Sequence, residues 1–146
     1  MTRLLAIELT MMVMLENEAG EILVQDRKKK DWPGWTFPGG HVEKEEGSYE
    51  ATLREIEEET GLVIQPVLRG TAEWNNLAKE TRELAFLYTA TVKKRTVPKD
   101  LFWVKKGDLN THKLAGTLTE LLPIFLVKNN RFTLMYKNQR ILLRTR

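Results

Sequence analysis

Glu55, Glu57, Glu58 and Glu59 put four carboxylates within five consecutive positions. On a helix turning about 100° per residue, Glu55, Glu58 and Glu59 share one arc of about 100°. Ala51 lies on the same arc and is small, which leaves room in front of the three carboxylates. Glu57 points elsewhere, alongside Glu50, into water. Acids in the last turns of a helix oppose its dipole, at about 0.3–1 kcal/mol each. The i,i+4 pair Glu55/Glu59 adds roughly 0.2–0.5 kcal/mol of repulsion. A hard divalent cation relieves both penalties, and magnesium takes carboxylate oxygens at about 2.0–2.1 Å. The competing account is a solvated acidic helix paired with nearby Lys and Arg. Local rule-breaking of this kind tends to mark function.

Three neighbours belong to the same chemistry. Gly39-Gly40 lets backbone approach a ligand closely, so that a carbonyl can add a neutral oxygen donor. Glu46 ends the segment that follows. Arg54 has Glu50 and Glu58 at i−4 and i+4, and can orient carboxylates or form an ordinary helix ion pair worth little.

Composition narrows the options. The chain has 146 residues, no Cys and two His. Disulfides, thiolate nucleophiles, cysteine zinc sites and iron–sulfur clusters are excluded. A metal here must be held mainly by oxygen: magnesium, calcium or manganese. The segment Glu43–Glu59 carries a local charge of −6, whereas the whole chain is +3, so the remainder is +9. An acidic focus in a basic body suits a polyanion held through metal ions. Leu4–Leu15 is mostly apolar but contains Glu8 and is too short for a transmembrane helix, which needs about 20 residues. No basic leader or cleavage site accompanies it, so we expect a cytoplasmic protein with no membrane partner.

The elements that position these residues follow from pattern. Ser48 is an expected N-cap, Gly61 a C′ residue, and the helix between them buries Tyr49, Leu53, Ile56 and Thr60, roughly opposite the acidic arc. Leu4–Leu15 and Ile22–Arg27 read as a hairpin around the turn Asn17–Gly20. Thr36-Phe37 is a short strand before Pro38. Val63–Leu68, Thr71–Trp74, Leu84–Val92 and Asp100–Val104 are strand-like. Leu114–Val127 reads as a second helix despite Pro123. Arg131–Met135 and Arg140–Leu143 form a terminal hairpin, a candidate dimer surface or cover for a sheet edge. The order predicts an α+β chain with a mixed sheet.

The segment Gly40 to Leu62 resembles the Nudix box, G-x5-E-x7-R-E-U-x-E-E-x-G-U with U aliphatic: Gly40, Glu46, Arg54, Glu55, Ile56, Glu58, Glu59, Gly61 and Leu62 all agree. Trp35-Thr-Phe37-Pro38-Gly39-Gly40 and Phe102-Trp103-Val104 are similar to MutT-type members. The resemblance covers about residues 5–127, with the rest of a single domain 1–146 being an added C-terminal hairpin at 128–146. It implies a Nudix fold, an α/β/α sandwich around a mixed β-sheet. It also implies Mg2+-dependent hydrolysis of a phosphoanhydride bond, with Mn2+ as substitute. Carried over by position, Glu55, Glu58, Glu59 and the Gly39 carbonyl would bind metal. Glu46 and Arg54 would support them, and Glu58 or Glu55 would take the proton of the attacking water. Arg27 would hold phosphate, Phe37 would line the base pocket, and Trp35 is a candidate stacking residue, as is Trp32 beside it.

The implied substrate is an oxidised purine nucleoside triphosphate of the 8-oxo-dGTP type, cut to monophosphate and pyrophosphate. Another nucleoside diphosphate derivative (NTP, ADP-ribose, dinucleotide polyphosphate) and a non-catalytic nucleotide- or nucleic-acid-binding module are the alternatives, though a nucleic-acid partner is not expected. Pro98 stands where relatives often carry an acid, with Asp100 two residues on as a replacement. No purine-reading Asn is visible near Leu114–Thr117.

Overall fold

The computed structural model describes residues 3–31, 33–76, 79–93 and 95–127, and the backbone of 132–137 and 140–145. Trp32, named above as a stacking candidate, lies outside the described residues, as do the side chains of the basic C-terminal hairpin.

Strand β1 (Ile7–Glu16) alternates its side chains between two cores. Met11, Val13 and Leu15 face one layer; Met14 faces the other. This two-sided burial is what a central strand requires. Asn17 closes the following turn, its Oδ1 accepting from the Ala19 and Glu21 amides at 2.9 and 3.0 Å. Strand β2 (Glu21–Arg27) then leaves at once for other partners. Only Glu16↔Ile22 pairs it with β1, so the expected hairpin is reduced to its corner. The main partner of β1 is β6 (Thr81–Thr91), parallel over its full length. The hydrophobic pattern specifies burial and not pairing, and a strand buried on both faces accepts either direction.

Strands β3 (Gly34–Thr36) and β7 (Leu101–Lys105) pair with β2, and β4 (Gly39–His41) pairs with β1. The two strand-like runs after Gly61 merge into β5 (Val67–Asn76), broken by a bulge between Leu68 and Gly70. Strand β8 (Phe132–Lys137) runs parallel to β5, and β9 (Arg140–Thr145) pairs with β8, as the terminal hairpin predicts. The path is β3-β2-β1-β6-β5-β8-β9, with β4 and β7 attached to its flank.

Helix α1 (Ser48–Thr60) packs over one face with Ala51 and Ile56 buried. Helix α2 (Leu118–Leu126) covers the other with Leu118, Leu121, Leu122, Ile124 and Phe125. The result is the expected α/β/α sandwich around a mixed sheet. Helix α2 is shorter than expected because Leu114 bridges to Trp35, and Lys106–Asn110 forms a 3₁₀ turn the sequence did not announce. Pro123 sits inside α2 as the sixth of its nine residues, where it removes the bond to the Thr119 carbonyl. Among the described residues no helix is long and apolar enough to cross a membrane.

Candidate functional site

Two expectations about α1 need correction. Gly47, not Ser48, is the N-cap, and Ser48 begins the helix with its hydroxyl 2.9 Å from the Tyr88 hydroxyl. The buried face is Ala51, Thr52, Ile56 and Thr60, and Tyr49 is 45% exposed. Turning the helix this way carries Ala51 into the core and brings Glu55 and Glu59 toward the sheet edge. The acidic arc therefore flanks the buried face instead of opposing it. Glu57 and Glu50 face water as expected. At the C-terminus no basic residue offsets the acids. Gly61 closes the helix in the left-handed region (φ 74°), donating its N–H to the Glu57 carbonyl at 2.8 Å.

Strand β4 meets the helix in a close approach. A Cβ on Gly40 would lie 2.5 Å from the Glu55 carboxyl carbon. One on Gly39 would lie 2.3 Å from the Met11 carbonyl oxygen. No other residue type fits either place without displacement. The Gly39 amide donates to the Glu59 carboxyl. The Glu55 carboxyl lies against that of Glu59. Burial, the Glu55 carboxyl and, more weakly, Asp100 push Glu59 up to about 7, the Gly39 amide opposing them.

Arg54 organises the remaining carboxylates. It forks onto Glu46, with Nε 3.0 Å from Oε2 and Nη2 2.6 Å from Oε1. Its Nη1 donates to Glu55 at 3.1 Å and Glu58 at 3.3 Å, and Nη2 also reaches the His41 carbonyl at 3.2 Å. The Arg54 guanidinium, then the Glu43 amide, hold Glu46 below the usual carboxylate range. Glu46 reciprocally raises Arg54.

The nine expected site residues separate into groups. Gly39, Glu46, Arg54, Glu55 and Glu59 come together, with Glu58 on the rim, its side chain 60% exposed. Arg27 shares the site's side of β2, and its Nη1 is engaged by the Asp31 carbonyl and carboxylate. Phe37 and Trp35 pack beneath α2 on the opposite face. Phe37 is 3% exposed, edge-on to Phe125, and one face of Trp35 is covered by the stacked His112 ring at 3.9 Å.

Sequence reasoning missed Gln25. Its Nε2 donates to Asp100 Oδ2 at 2.8 Å, while a turn from Leu101 N–H to the Pro98 carbonyl fixes the loop. Its only sequence signal is a polar side chain on a buried strand, two residues before Arg27.

Among the described residues no three carboxylate or imidazole groups already stand at metal-binding spacing. The donor chemistry nonetheless fits a hard divalent cation. Adjacent carboxyls beside a peptide and a third acid, one of them holding its proton up to about pH 7, are a donor set in which such an ion would displace that proton.

Comparison with known proteins gives the family and the fold. Residues 7–123 match the model of the NUDIX domain. YtkD of Bacillus subtilis, named for 8-oxo-dGTP diphosphatase activity, is 33% identical over 105 residues, 72% of this chain and 60% of its own. An RNA pyrophosphohydrolase of Roseobacter denitrificans is 41% identical over 64 residues, 42% of this chain and 40% of its own. The chain thus spans less than two thirds of these relatives. A MutT protein from Bacillus halodurans superposes with a TM-score of 0.71 at 22% identity, covering 94% of this chain and 97% of that one.

Proposed function

The chain belongs to the NUDIX family, and within it we propose a nucleotide pyrophosphohydrolase that uses Mg2+, with Mn2+ as substitute. The observation that carries this reading is the adjacent carboxyls of Glu55 and Glu59 set against Gly39-Gly40, with Arg54 bonded to Glu55 and forked onto Glu46. Glu55, Glu58, Glu59 and the Gly39 peptide would hold the metal. When bound, the metal offsets phosphate charge and makes a water acidic enough to attack at neutral pH.

The chain's own residues do the rest. Arg54 orients both Glu55 and Glu58, and Glu58, the more exposed of the two, accepts the proton of the attacking water. Asp100, aimed by Gln25, supplies the acid that Pro98 lacks, which favours catalysis over a non-catalytic module. Arg27 would exchange Asp31 for substrate phosphate. Trp35, once His112 leaves it, and Phe37 beneath it would wall one end of the base site on the α2 face.

The favoured substrate is an oxidised purine nucleoside triphosphate of the 8-oxo-dGTP type, in keeping with the name of YtkD. A 5′-triphosphorylated RNA is the second reading, supported by the other relative's name and by the exposed run Lys28-Lys29-Lys30 beside Arg27.

The experiment is pyrophosphate release from 8-oxo-dGTP, dGTP, ATP, ADP-ribose and triphosphorylated RNA, with Mg2+ and with EDTA. Release from 8-oxo-dGTP that needs the metal and is lost in Glu58→Gln supports the reading. Absence of turnover on the whole panel overturns it.

A further inference from the structure

Beyond the metal-facing carboxylates, the sheet half-buries a second acid that the proposed chemistry does not use. Glu83 lies on β6 beneath the α2 side, on the same strand face as the core residues Ala85 and Leu87. Thr10 Oγ1 donates to its Oε2 at 3.0 Å. Its other oxygen accepts no hydrogen bond among the described residues. Desolvation raises it above the usual carboxylate range, the Thr10 bond opposing. Two residues along the same face, the Thr81 hydroxyl is buried with no partner. Buried polar groups left unpaired are costly unless a ligand or water satisfies them.

Trp74 stands opposite Glu83 in the β5–β6 register and packs against the α2 core. On the other side, Glu8 is the partner of Glu83 in the β1–β6 register; it is bonded to Lys79 at 3.2 Å and lies 3.5 Å from His41 Nε2. His41 is the link to the metal-facing side. Gly40 meets Glu55 on one face of β4, and the next side chain, His41, reaches Glu8 on the other. β4 is three residues long and pairs only with β1, so its outer edge is open. A nucleotide laid across that edge would have phosphates at Glu55/Glu59 and its base over Thr10, Trp74 and Glu83.

We infer that Glu83, steadied by Thr10, is the specificity-determining residue that reads the Watson–Crick edge of a guanine-type base. A carboxylate only accepts, and guanine and 8-oxoguanine present two adjacent donors, N1–H and the N2 amino group, that a carboxylate can accept. Adenine places an acceptor, N1, where the first of those donors would be. It would face the free oxygen of this half-buried acid with an acceptor and is rejected for that reason. Thr81 would add a hydrogen bond at the ring's edge, and Trp74 a stacking face. The inference deepens the proposed function and rests on it for the placement of the phosphates, not for the reading of the base.

The test uses binding and turnover separately. GMP and AMP are titrated by calorimetry against the wild-type chain, Glu83→Gln and Thr10→Val, and kcat/KM is measured for dGTP and dATP with Mg2+. The wild type is expected to favour GMP over AMP by at least tenfold. Glu83→Gln should lose at least tenfold in GMP affinity with AMP unchanged, and Thr10→Val a smaller part of it. The same ratio should shift in kcat/KM while divalent-ion uptake stays at the wild-type level. A wild type indifferent to the purine, or a Glu83→Gln protein that keeps the wild-type purine ratio, overturns the inference. If GMP selectivity depends on Glu83 but no nucleotide is cleaved, the proposed hydrolase falls and the base-reading residue stands. If cleavage is strong and its purine preference ignores Glu83, the reverse holds.

Discussion

Arg54 binds Glu46 through two nitrogens, at 2.6 and 3.0 Å, while a third nitrogen spans Glu55 and Glu58. One guanidinium thus couples the loop before the helix to the carboxylates on it. A planar fork is needed, because an ammonium cannot serve two oxygens in one plane and two more beside it. Arg54→Lys should retain charge and fold yet lower kcat/KM by about 10- to 100-fold, the usual cost of losing a group that orients metal ligands. Activity at saturating Mg2+ and thermal melting decide it. Wild-type activity in the lysine variant would show that charge alone suffices.

Adjacent glycines should fail in different ways. In Gly40→Ala the new methyl would meet the end of a flexible side chain, the Glu55 carboxyl. Glu55 can turn aside, so the fold should survive while Mg2+ affinity falls at least tenfold. In Gly39→Ala the obstacle is the Met11 backbone carbonyl, which cannot rotate away. That variant should lose stability by about 1–3 kcal/mol, the range for overpacking. Denaturant melts of both, with metal titration of Gly40→Ala, separate the cases. Equal stability loss in the two would contradict the distinction.

Asp100 allows a test of aim. Gln25→Ala removes its one hydrogen-bond donor among the described residues, on a partly buried strand position. Turnover should fall several-fold at unchanged KM, and Asp100→Asn should reproduce the effect. A change in KM alone would place Gln25 in substrate binding instead.

The carboxylate site was legible because its signal is local. Glu55, Glu58 and Glu59 are fixed by helical spacing, and Gly61 by the left-handed φ that ends the helix. What escaped depends on which strands meet. The bond from Gln25 to Asp100 joins residues 75 positions apart, and that from Thr10 to Glu83 joins residues 73 apart. Alternation marks Thr10 and Glu83 as strand residues on one face or the other, but only the parallel β1–β6 pairing puts them side by side. The rotation of α1 was misjudged for a related reason. Tyr49 outranks Ala51 as an apolar residue, yet close packing of the helix on β1 and β4 demands a small side chain, and Ala51 takes the core position at no exposure.

Glu59 makes the metal-free protein sensitive to pH. Its carboxyl is raised from 4.5 to about 7 in the folded state, by burial first and by Glu55 second. Between those values the folded chain holds a proton the unfolded chain has released. Stability therefore falls as pH rises across the window, and is flat above it where both states are ionised. In EDTA the melting temperature should decline from about pH 5 to about pH 7, and Glu59→Gln should remove most of the slope. Asp100→Asn should narrow the window by lowering the Glu59 value slightly. A divalent cation competes with the same proton. Adding Mg2+ in weak buffer near pH 6 should release close to one proton per site, and near pH 8 close to none. A pH slope that survives in Glu59→Gln, or a proton release that does not change between the two conditions, would mean that Glu59 does not carry the raised value.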